Sequence, residues 1–347
     1  MAQEHKQIRL GWEIIQCHLN TLKNKRVAAI SCLPKSRLGT NKSILNWCLQ
    51  TKRAVSITVG NGESYKSLSC CKSLIRLFQN EGFRRGDIVL ALGGGVIGDL
   101  AGFLASCYLR GISLIHLPTT LLSQTDSAIG GKTGLNTSFG KNTVGAFFFQ
   151  TATLIDVTML RGLPKREWHS GLCEIIKVGV CSDAPFFCWV ESNLNGIIKR
   201  KAPTIINLVR RSAELKSSIV LKDSTEKGIR SVLNFGHTFG HAIELGLSFS
   251  RWSHGEAVSC GMMLATQTSL KLGMLVCCVR MRLFRLLSIC NLPTTLPKDL
   301  RLDSLIKSMW FDKKNLGNSF STILLRDVAD PIIQNISPSQ LSKMISF

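Results

Sequence analysis

Asp87-Ile88-Val89-Leu90-Ala91-Leu92-Gly93-Gly94-Gly95-Val96-Ile97-Gly98-Asp99 is the stretch on which the fold turns. Its first six residues are short, apolar and bounded by glycine, which predicts a strand over Asp87–Leu92. A segment apolar nearly all round follows to Tyr108 and predicts a buried helix. Gly93, Gly95 and Gly98 therefore satisfy G-x-G-x-x-G at a strand-to-helix turn. Glycines at such a turn let backbone N–H groups approach a pyrophosphate at a helix N-terminus. The turn lies late in the chain, and no acid follows at the distance that usually holds a ribose. Asn61 and Glu63, at the tip of an earlier strand, are placed to do that instead. A purely structural tight turn is the competing reading, and the density of glycines speaks against it.

Working outward, residues 26–31 and 54–59 read as further strands, with 40–50 a candidate helix between them. Lys66 to Glu81 has helical periodicity, with Leu68, Leu74, Leu77 and Phe78 expected inward. Ser113–Leu117 is another strand, ending in Pro118-Thr119-Thr120. Strands alternating with helices predict a parallel α/β sheet. Beyond it, a stretch expected to be loop-rich carries Asp126, Gly130-Gly131-Lys132-Thr133-Gly134 and Gly140-Lys141-Asn142. Lysines set among glycines suit phosphate or dinucleotide contacts. Gly131-Lys132-Thr133 is similar to the end of a P-loop, but Asp126 occupies the position of the upstream glycine, which excludes a nucleoside triphosphatase.

From Leu160 onward the pattern is helical, which sets the expected domain boundary. Pro164 opens a helix in which Glu167, Gly171, Glu174 and Lys177 fall on one stripe. Leu172, Ile175, Ile176 and Val178 flank that stripe, so its charges are expected to be buried or to face a cleft. Residues 203–220 form another helix, carrying Lys216, and Glu226 and Arg230 lead into Leu233–Glu244. Within that stretch His237 and His241 stand four residues apart and share one helix face. Gly236 and Gly240, read as helix-interior residues, each cost roughly 1 kcal/mol relative to Ala, so something is expected to pack close to the backbone there. His254 follows in Ser253-His254-Gly255-Glu256. Three imidazoles can form one metal ligand set, or ligands plus a proton-transfer group, and Glu174 is a candidate fourth member. A hydrogen-bonded core pair is the plain alternative for His237 and His241. The Met- and Leu-rich segment after 258 reads as core, and Asp312-Lys313-Lys314-Asn315 precedes an expected strand at Ser321–Leu325.

Bulk properties narrow the class. A chain of 347 residues, 45% hydrophobic with 29 glycines, is globular and long enough for two domains. No run is apolar enough to span a bilayer, and the start lacks the apolar core of a signal peptide. Thirteen cysteines without a C-x-x-C pair suit reduced thiols in the cytoplasm. The net charge of +21 suggests nucleic acid, but the basic residues are dispersed and there are only two tyrosines to stack on bases. The expectation is therefore no nucleic-acid and no membrane partner. Most of the excess reads as surface bias, a smaller part as attraction for an anionic substrate.

Taken in order, a set of motifs resembles the 3-dehydroquinate synthase family of sugar-phosphate cyclases over residues 54–325. They are Gly62-Glu63-x-x-Lys66, Gly93 through Asp99, Leu109-Arg110-Gly111, Pro118-Thr119-Thr120-Leu121-Leu122, Asp126 through Asn136, and Gly140-Lys141-Asn142. Glu174-x-x-Lys177, Arg230-x-x-Leu233-Asn234-Phe235-Gly236-His237 with His241, His254-Gly255-Glu256 and Asp312-Lys313-Lys314 continue the series. The resemblance implies an α/β N-terminal Rossmann-like dinucleotide-binding domain (1–158) and an all-α C-terminal metal- and substrate-binding domain (159–347), in a cytoplasmic homodimer. It implies conversion of 3-deoxy-D-arabino-heptulosonate 7-phosphate into 3-dehydroquinate and phosphate, with NAD and one divalent metal, zinc or cobalt. Glu174, His237 and His254 become the metal ligands, His241 handles protons, Asp126 meets a substrate hydroxyl, and Lys132 and Glu226 complete the catalytic set. Lys177, Lys216 and Arg230 face the substrate carboxylate. Lys132, Asn142, Asn234 and Lys313 or Lys314 hold the phosphate, with Arg110 reaching across the dimer. A substrate anionic at both ends calls for such cations. NAD is assigned to Asn61, Gly62, Glu63, Lys66, Gly94, Gly95, Val96, Ile97, Gly98, Asp99, Thr119, Thr120, Lys132 and Lys141.

The departures from the family pattern gather on the NAD side. Ser31-Cys32 stands where many members carry an acid, Asn61 where Asp is common, and Gly162-Leu163-Pro164 where Thr-Leu-Pro is usual. Competing functions are a cyclase acting on a different sugar phosphate, a metal-dependent polyol dehydrogenase of the same fold, and a basic nucleic-acid binder.

Overall fold

The alternation of apolar strands and helices builds the first of two compact units, Met1–Leu163 and Pro164–Phe347. The computed structural model describes residues 7–22, 24–32, 53–248, 251–298, 300–310 and 319–345. In the first unit the strands are β1 (Gln7–Leu10), β2 (Val27–Ser31), β3 (Ala54–Thr58), β4 (Ile88–Gly93), β5 (Ser113–Pro118), β6 (Lys132–Thr137), β7 (Gly140–Phe147) and β8 (Ala152–Ile155). Six of them form one parallel sheet in the order β1-β8-β5-β4-β2-β3. Both faces are covered, which is why β4 reads as an unbroken apolar run. Val89 and Ala91 point into a core shared with the helices Leu68–Asn80 and Gly95–Cys107, while Ile88, Leu90 and Leu92 meet Ile15 and Leu19 of the helix Trp12–Thr21. After β2 the chain builds outward to β3, and after β4 it builds the other way. The carboxyl ends of β2 and β4 thus flank a topological switch point, where ligands of open α/β sheets bind. The glycine turn sits there.

Two expectations need correction in this unit. The helix foreseen from Lys66 begins at Leu68, and Leu68 is exposed; Cys71 joins Leu74 and Phe78 on the buried face, a spacing of three and four. Ser67 ends the preceding turn by capping the helix, accepting the Cys70 N–H at 3.3 Å. The stretch expected to be loop-rich is ordered: a helical turn at Ser123–Ser127 is followed by the antiparallel β6–β7 hairpin. Its glycines hid it, since Gly134 and Gly145 face each other across the ladder. The candidate helix at 40–50 lies outside the described residues.

The second unit is mainly helical, with helices Lys165–Ser182, Ala184–Ser192, Ala202–Lys222, His237–Gly246, His254–Lys271, Cys277–Ile289, Leu302–Met309 and Pro338–Ile345. It is not all-α: β9 (Phe320–Asp327) and β10 (Asp330–Ile336) pair as an antiparallel hairpin, whose β-branched residues favour strands. Helix His254–Lys271 is buried on nearly every side from Ala257 to Ala265 and is central to this unit. β9 is tied to it where the Leu325 N–H donates to Ser269 Oγ at 3.2 Å. Among the described residues no helix is long and apolar enough to cross a membrane, and no disulfide forms.

Candidate active site

Glycines decide how closely the site-bearing helices approach. Gly236 lies just ahead of helix His237–Gly246, in a left-handed conformation at φ 75°, and is not a helix-interior residue as expected. Only Gly adopts that conformation without strain. It starts the helix so that His237 is the first helical residue. The close neighbour anticipated from the paired glycines is helix His254–Lys271. A Cβ on Gly240 would stand 3.1 Å from Val258 Cα, and one on Gly236 2.8 Å from Met262 N. Gly261 returns the contact, its own Cβ position overlapping the Gly236 carbonyl. Gly255 sits likewise against the backbone of Ser170 on helix Lys165–Ser182. Three helices thereby bring Glu174, His237 and His254 together.

The donor atoms of these three residues fall within 4.8 Å of one another. Glu174 Oε1 is 3.8 Å from His237 Nε2 and 3.5 Å from His254 Nε2. Each imidazole has its other nitrogen occupied: His237 Nδ1 lies 3.3 Å from the Phe235 carbonyl, and His254 Nδ1 3.4 Å from Glu244 Oε2. Such partners orient the ring and leave Nε2 as the atom that could bind a metal. Burial, then the charges of Lys177 and His254, push His237 well below the ordinary histidine value, so its ring is neutral and has a lone pair to give. Burial also opposes a charge on Glu174, yet Lys177 and His254 hold its carboxyl well below the usual carboxylate range. For His254 burial favours the neutral ring, but Glu174 and Glu244 together outweigh it and raise the group to about 10. Glu174 Oε2 pairs with Lys177, while Glu174 Oε1 is buried without a hydrogen-bond partner. Oε1 instead faces the two Nε2 atoms at 3.5 and 3.8 Å, an arrangement of donors that a divalent cation would complete. The donor set and the orphaned oxygen fit a metal. His241 is exposed and stands apart from the three, its ring centroid 5.4 Å from that of His237 and 6.3 Å from that of His254.

Around this cluster the same unit buries several cations. Lys177, Lys216 and Arg230 are 3%, 6% and 2% exposed, which is expensive for charged groups without a task. Glu226 faces both Asn234 and Arg230, accepting from Asn234 Nδ2 at 2.8 Å and lying 3.6 Å from Arg230 Nε. Asp223 shapes the turn beneath by accepting the N–H groups of Lys227, Gly228 and Arg230. Of the charged stripe on helix Lys165–Ser182, Glu167 is exposed, whereas Gly171, Glu174 and Lys177 are buried. Lys313 and Lys314 lie outside the described residues.

In the first unit, no side chain caps the N-terminus of helix Gly95–Cys107 at Gly94. A Cβ on Gly94 would touch Thr120 Cγ2 at 3.0 Å, and one on Gly98 would meet the buried His116 ring at 3.5 Å. The first contact leaves the backbone bare beside Thr119 and Thr120, and the second seats the helix on β5. Val96 and Ile97 follow in the first turn, Ile97 fully buried. Lys66 pairs with Asp99, so the turn after β3 that carries Asn61, Gly62 and Glu63 reaches the glycine helix. Asp99 is raised above the usual carboxylate value by burial, against the pull of Lys66 and with the nearby charges of Glu63 and Asp126 adding to it. Asn136 joins these parts, donating to Glu63 Oε2 at 2.8 Å and accepting the Asn142 N–H at 3.0 Å. Lys141 and Asn142 lie at one end of the β6–β7 hairpin and Lys132 at the other, opposite Phe147. Exposed Arg110 has a positive φ of 63°, between Leu109 and Gly111, which are also positive.

Reading the sequence gave no role to Glu244, Ser170, Arg166 or Asn136. Glu244 was accessible by spacing, since 237, 241 and 244 share one helix face. Ser253-x-x-Glu256 has the form of a capping box, which it is. Ser170 carries no sequence signal.

The family description "3-dehydroquinate synthase N-terminal" matches residues 56–170, and "3-dehydroquinate synthase C-terminal" matches 171–315. Among solved structures, a 2-deoxy-scyllo-inosose synthase complexed with carbaglucose-6-phosphate, NAD+ and Co2+ superposes with TM-score 0.87 at 24% identity, over 98% of this chain and 96% of that one. The 2-epi-5-epi-valiolone synthase of Streptomyces hygroscopicus subsp. jinggangensis, with NAD+ and Zn2+ bound, gives 0.89 at 23% over 99% and 97%. A probable glycerol dehydrogenase from Sinorhizobium meliloti is more distant, at 0.67 and 13% over 98% and 95%.

Proposed function

The chain belongs to the 3-dehydroquinate synthase family of sugar-phosphate cyclases, and from that premise we propose that it is a 3-dehydroquinate synthase. It would convert 3-deoxy-D-arabino-heptulosonate 7-phosphate into 3-dehydroquinate and phosphate, a step towards aromatic amino acids. The observation that carries this choice is the burial of Lys216 and Arg230 in the unit that holds the Glu174, His237 and His254 cluster. An inosose-forming relative has no substrate carboxylate for these two cations to hold.

Glu174, His237 and His254 would hold one divalent metal, zinc or cobalt, and the glycine turn with Glu63, Lys66, Thr119, Thr120 and Lys141 would hold NAD. When bound, the metal would polarise the C5 hydroxyl and NAD would accept and return a hydride, so net redox would be zero. The chain's own groups do the rest. Lys177, Lys216 and Arg230 fix the carboxylate, and Asp126 orients a hydroxyl. Lys132, Asn142 and Asn234 are assigned to the phosphate. His241, the exposed imidazole, takes and returns the protons that accompany oxidation and elimination. Glu226 keeps Arg230 and Asn234 in place. Loss of phosphate, re-reduction, ring opening and aldol closure then give the carbocycle.

The test is phosphate release from the heptulosonate phosphate, with and without NAD and a chelator. Release that needs both supports the proposal. Turnover of a carboxylate-free sugar phosphate instead would favour a cyclase of the inosose or valiolone kind, as the solved relatives suggest. Steady growth of nicotinamide absorbance would indicate a polyol dehydrogenase.

A further inference from the structure

Arg166, Ser170 and Glu174 follow one another at four-residue intervals and so form one stripe along helix Lys165–Ser182. Each meets a residue at the start of helix His254–Lys271, one step earlier each time. Arg166 forks onto Glu256, with Nε 3.0 and 3.1 Å from the two carboxylate oxygens and Nη2 2.6 Å from Oε2, and it also reaches the Arg251 carbonyl. Ser170 Oγ accepts the Gly255 N–H at 3.0 Å. Glu174 Oε1 then stands 3.5 Å from His254 Nε2. Glu256 is gripped from its own side too, accepting the Ser253 N–H at 2.6 Å in the capping box.

The Gly255 N–H is one of the first-turn donors that a helix cannot satisfy from within. Its partner here comes from another helix, one turn before the carboxylate of the metal cluster. Ser170 is 4% exposed, and Gly255 admits no side chain because a Cβ would enter the Ser170 backbone. The hydroxyl is thus a fixed point from which the backbone beside His254 hangs. We propose that Ser170, supported by Arg166, is a positioning residue of the metal centre: its grip on the Gly255 N–H sets how far His254 Nε2 stands from Glu174. It touches neither metal nor substrate. This rests on the reading of Glu174, His237 and His254 as metal ligands.

The experiment measures Zn2+ affinity of metal-stripped protein by competition with a chromogenic chelator, together with the absorption spectrum of the Co2+ form. Ser170→Ala removes the acceptor. Ser269→Ala is the matched control, because Ser269 Oγ accepts the Leu325 N–H in the same central helix, fifteen residues beyond His254. Both variants lower the melting temperature of the metal-free protein. Ser170→Ala is expected to weaken Zn2+ by about 10–100-fold, as loss of a ligand-orienting contact does, and to shift the Co2+ bands. Ser269→Ala is expected to stay within about twofold of wild type. An unchanged affinity in Ser170→Ala, or an equal loss in Ser269→Ala, overturns the inference. Failure of the wild-type protein to take up Zn2+ is a different result, which removes the metal centre itself.

Discussion

Gly261→Ala tests the physical basis of the site without touching any of its side chains. Gly261 lies where helix His254–Lys271 crosses helix His237–Gly246, so the substitution acts on the distance between the two histidine-bearing elements. A Cβ there would overlap the Gly236 carbonyl oxygen and stand 2.9 Å from Gly240 N and 3.1 Å from Gly236 C. Contacts to carbon relax near 3.5–4.0 Å, and the Cβ position is 2.1 Å from that oxygen, so the crossing must open by more than about 1 Å. All three atoms are backbone, so no side chain can rotate away. Overpacking of this kind costs about 1–3 kcal/mol, or roughly 2–4 °C in melting temperature for each kcal/mol in a unit of this size. Ligand sets tolerate displacements of about 0.5 Å, so His237 and His254 would no longer converge on Glu174 Oε1. Differential scanning calorimetry of metal-free protein and elemental analysis after dialysis are the assays. Gly86→Ala is the control, since nothing lies within 4 Å of its Cβ position. If Gly261→Ala melts like wild type and keeps its metal, the claim that glycine contacts set the site geometry is wrong.

His237→Ala should lose both metal and activity, whereas His241→Ala should keep metal while losing about 100- to 10,000-fold in turnover; equal metal loss in both would make the pair a joint ligand set. Because His254 is raised to about 10 in metal-free protein while His237 is neutral and Glu174 ionised, metal uptake at pH 7.5 should release about one proton, read by calorimetry in buffers of different ionisation enthalpy. The sign follows from the shift: a raised histidine stabilises the metal-free fold fully below about pH 6.5 and progressively less as pH rises towards 10, while apparent metal affinity climbs about tenfold per unit. A melting temperature of metal-free protein that rises across that window would refute the assignment. Neutralising Arg84, Arg85 and Lys199 together should leave turnover nearly unchanged at physiological salt, where exposed charges are screened beyond ~8 Å; a tenfold loss would show that they steer substrate. Arg200 does not belong in that set, because its guanidinium stacks 4.4 Å above the buried Trp168 ring.

Patterns that repeat along the chain were enough for much of this protein. The doubly covered sheet is written in strands such as Ile88–Gly93, whose residues are all apolar because both faces are buried. The nucleotide-type turn is written in glycines, since only they bring bare backbone to a helix N-terminus. His237 and His241 announce a shared face by spacing, and Glu174 stands out as an acid in an apolar run. Where the sequence misled, the local pattern was real but its context was not local. Glycines in Lys132–Phe147 signalled loop, yet they face one another across a hairpin. Gly236 and Gly240 looked alike, yet one starts the helix in a left-handed conformation and the other makes room for Val258. Spacing could not separate the placement of three histidines either. The crossing of three helices did that, bringing two Nε2 atoms to the buried oxygen of Glu174 and leaving His241 exposed. Periodicity fixes which face of an element a residue occupies; which faces meet, and how closely, depends on backbone contacts between residues dozens of positions apart.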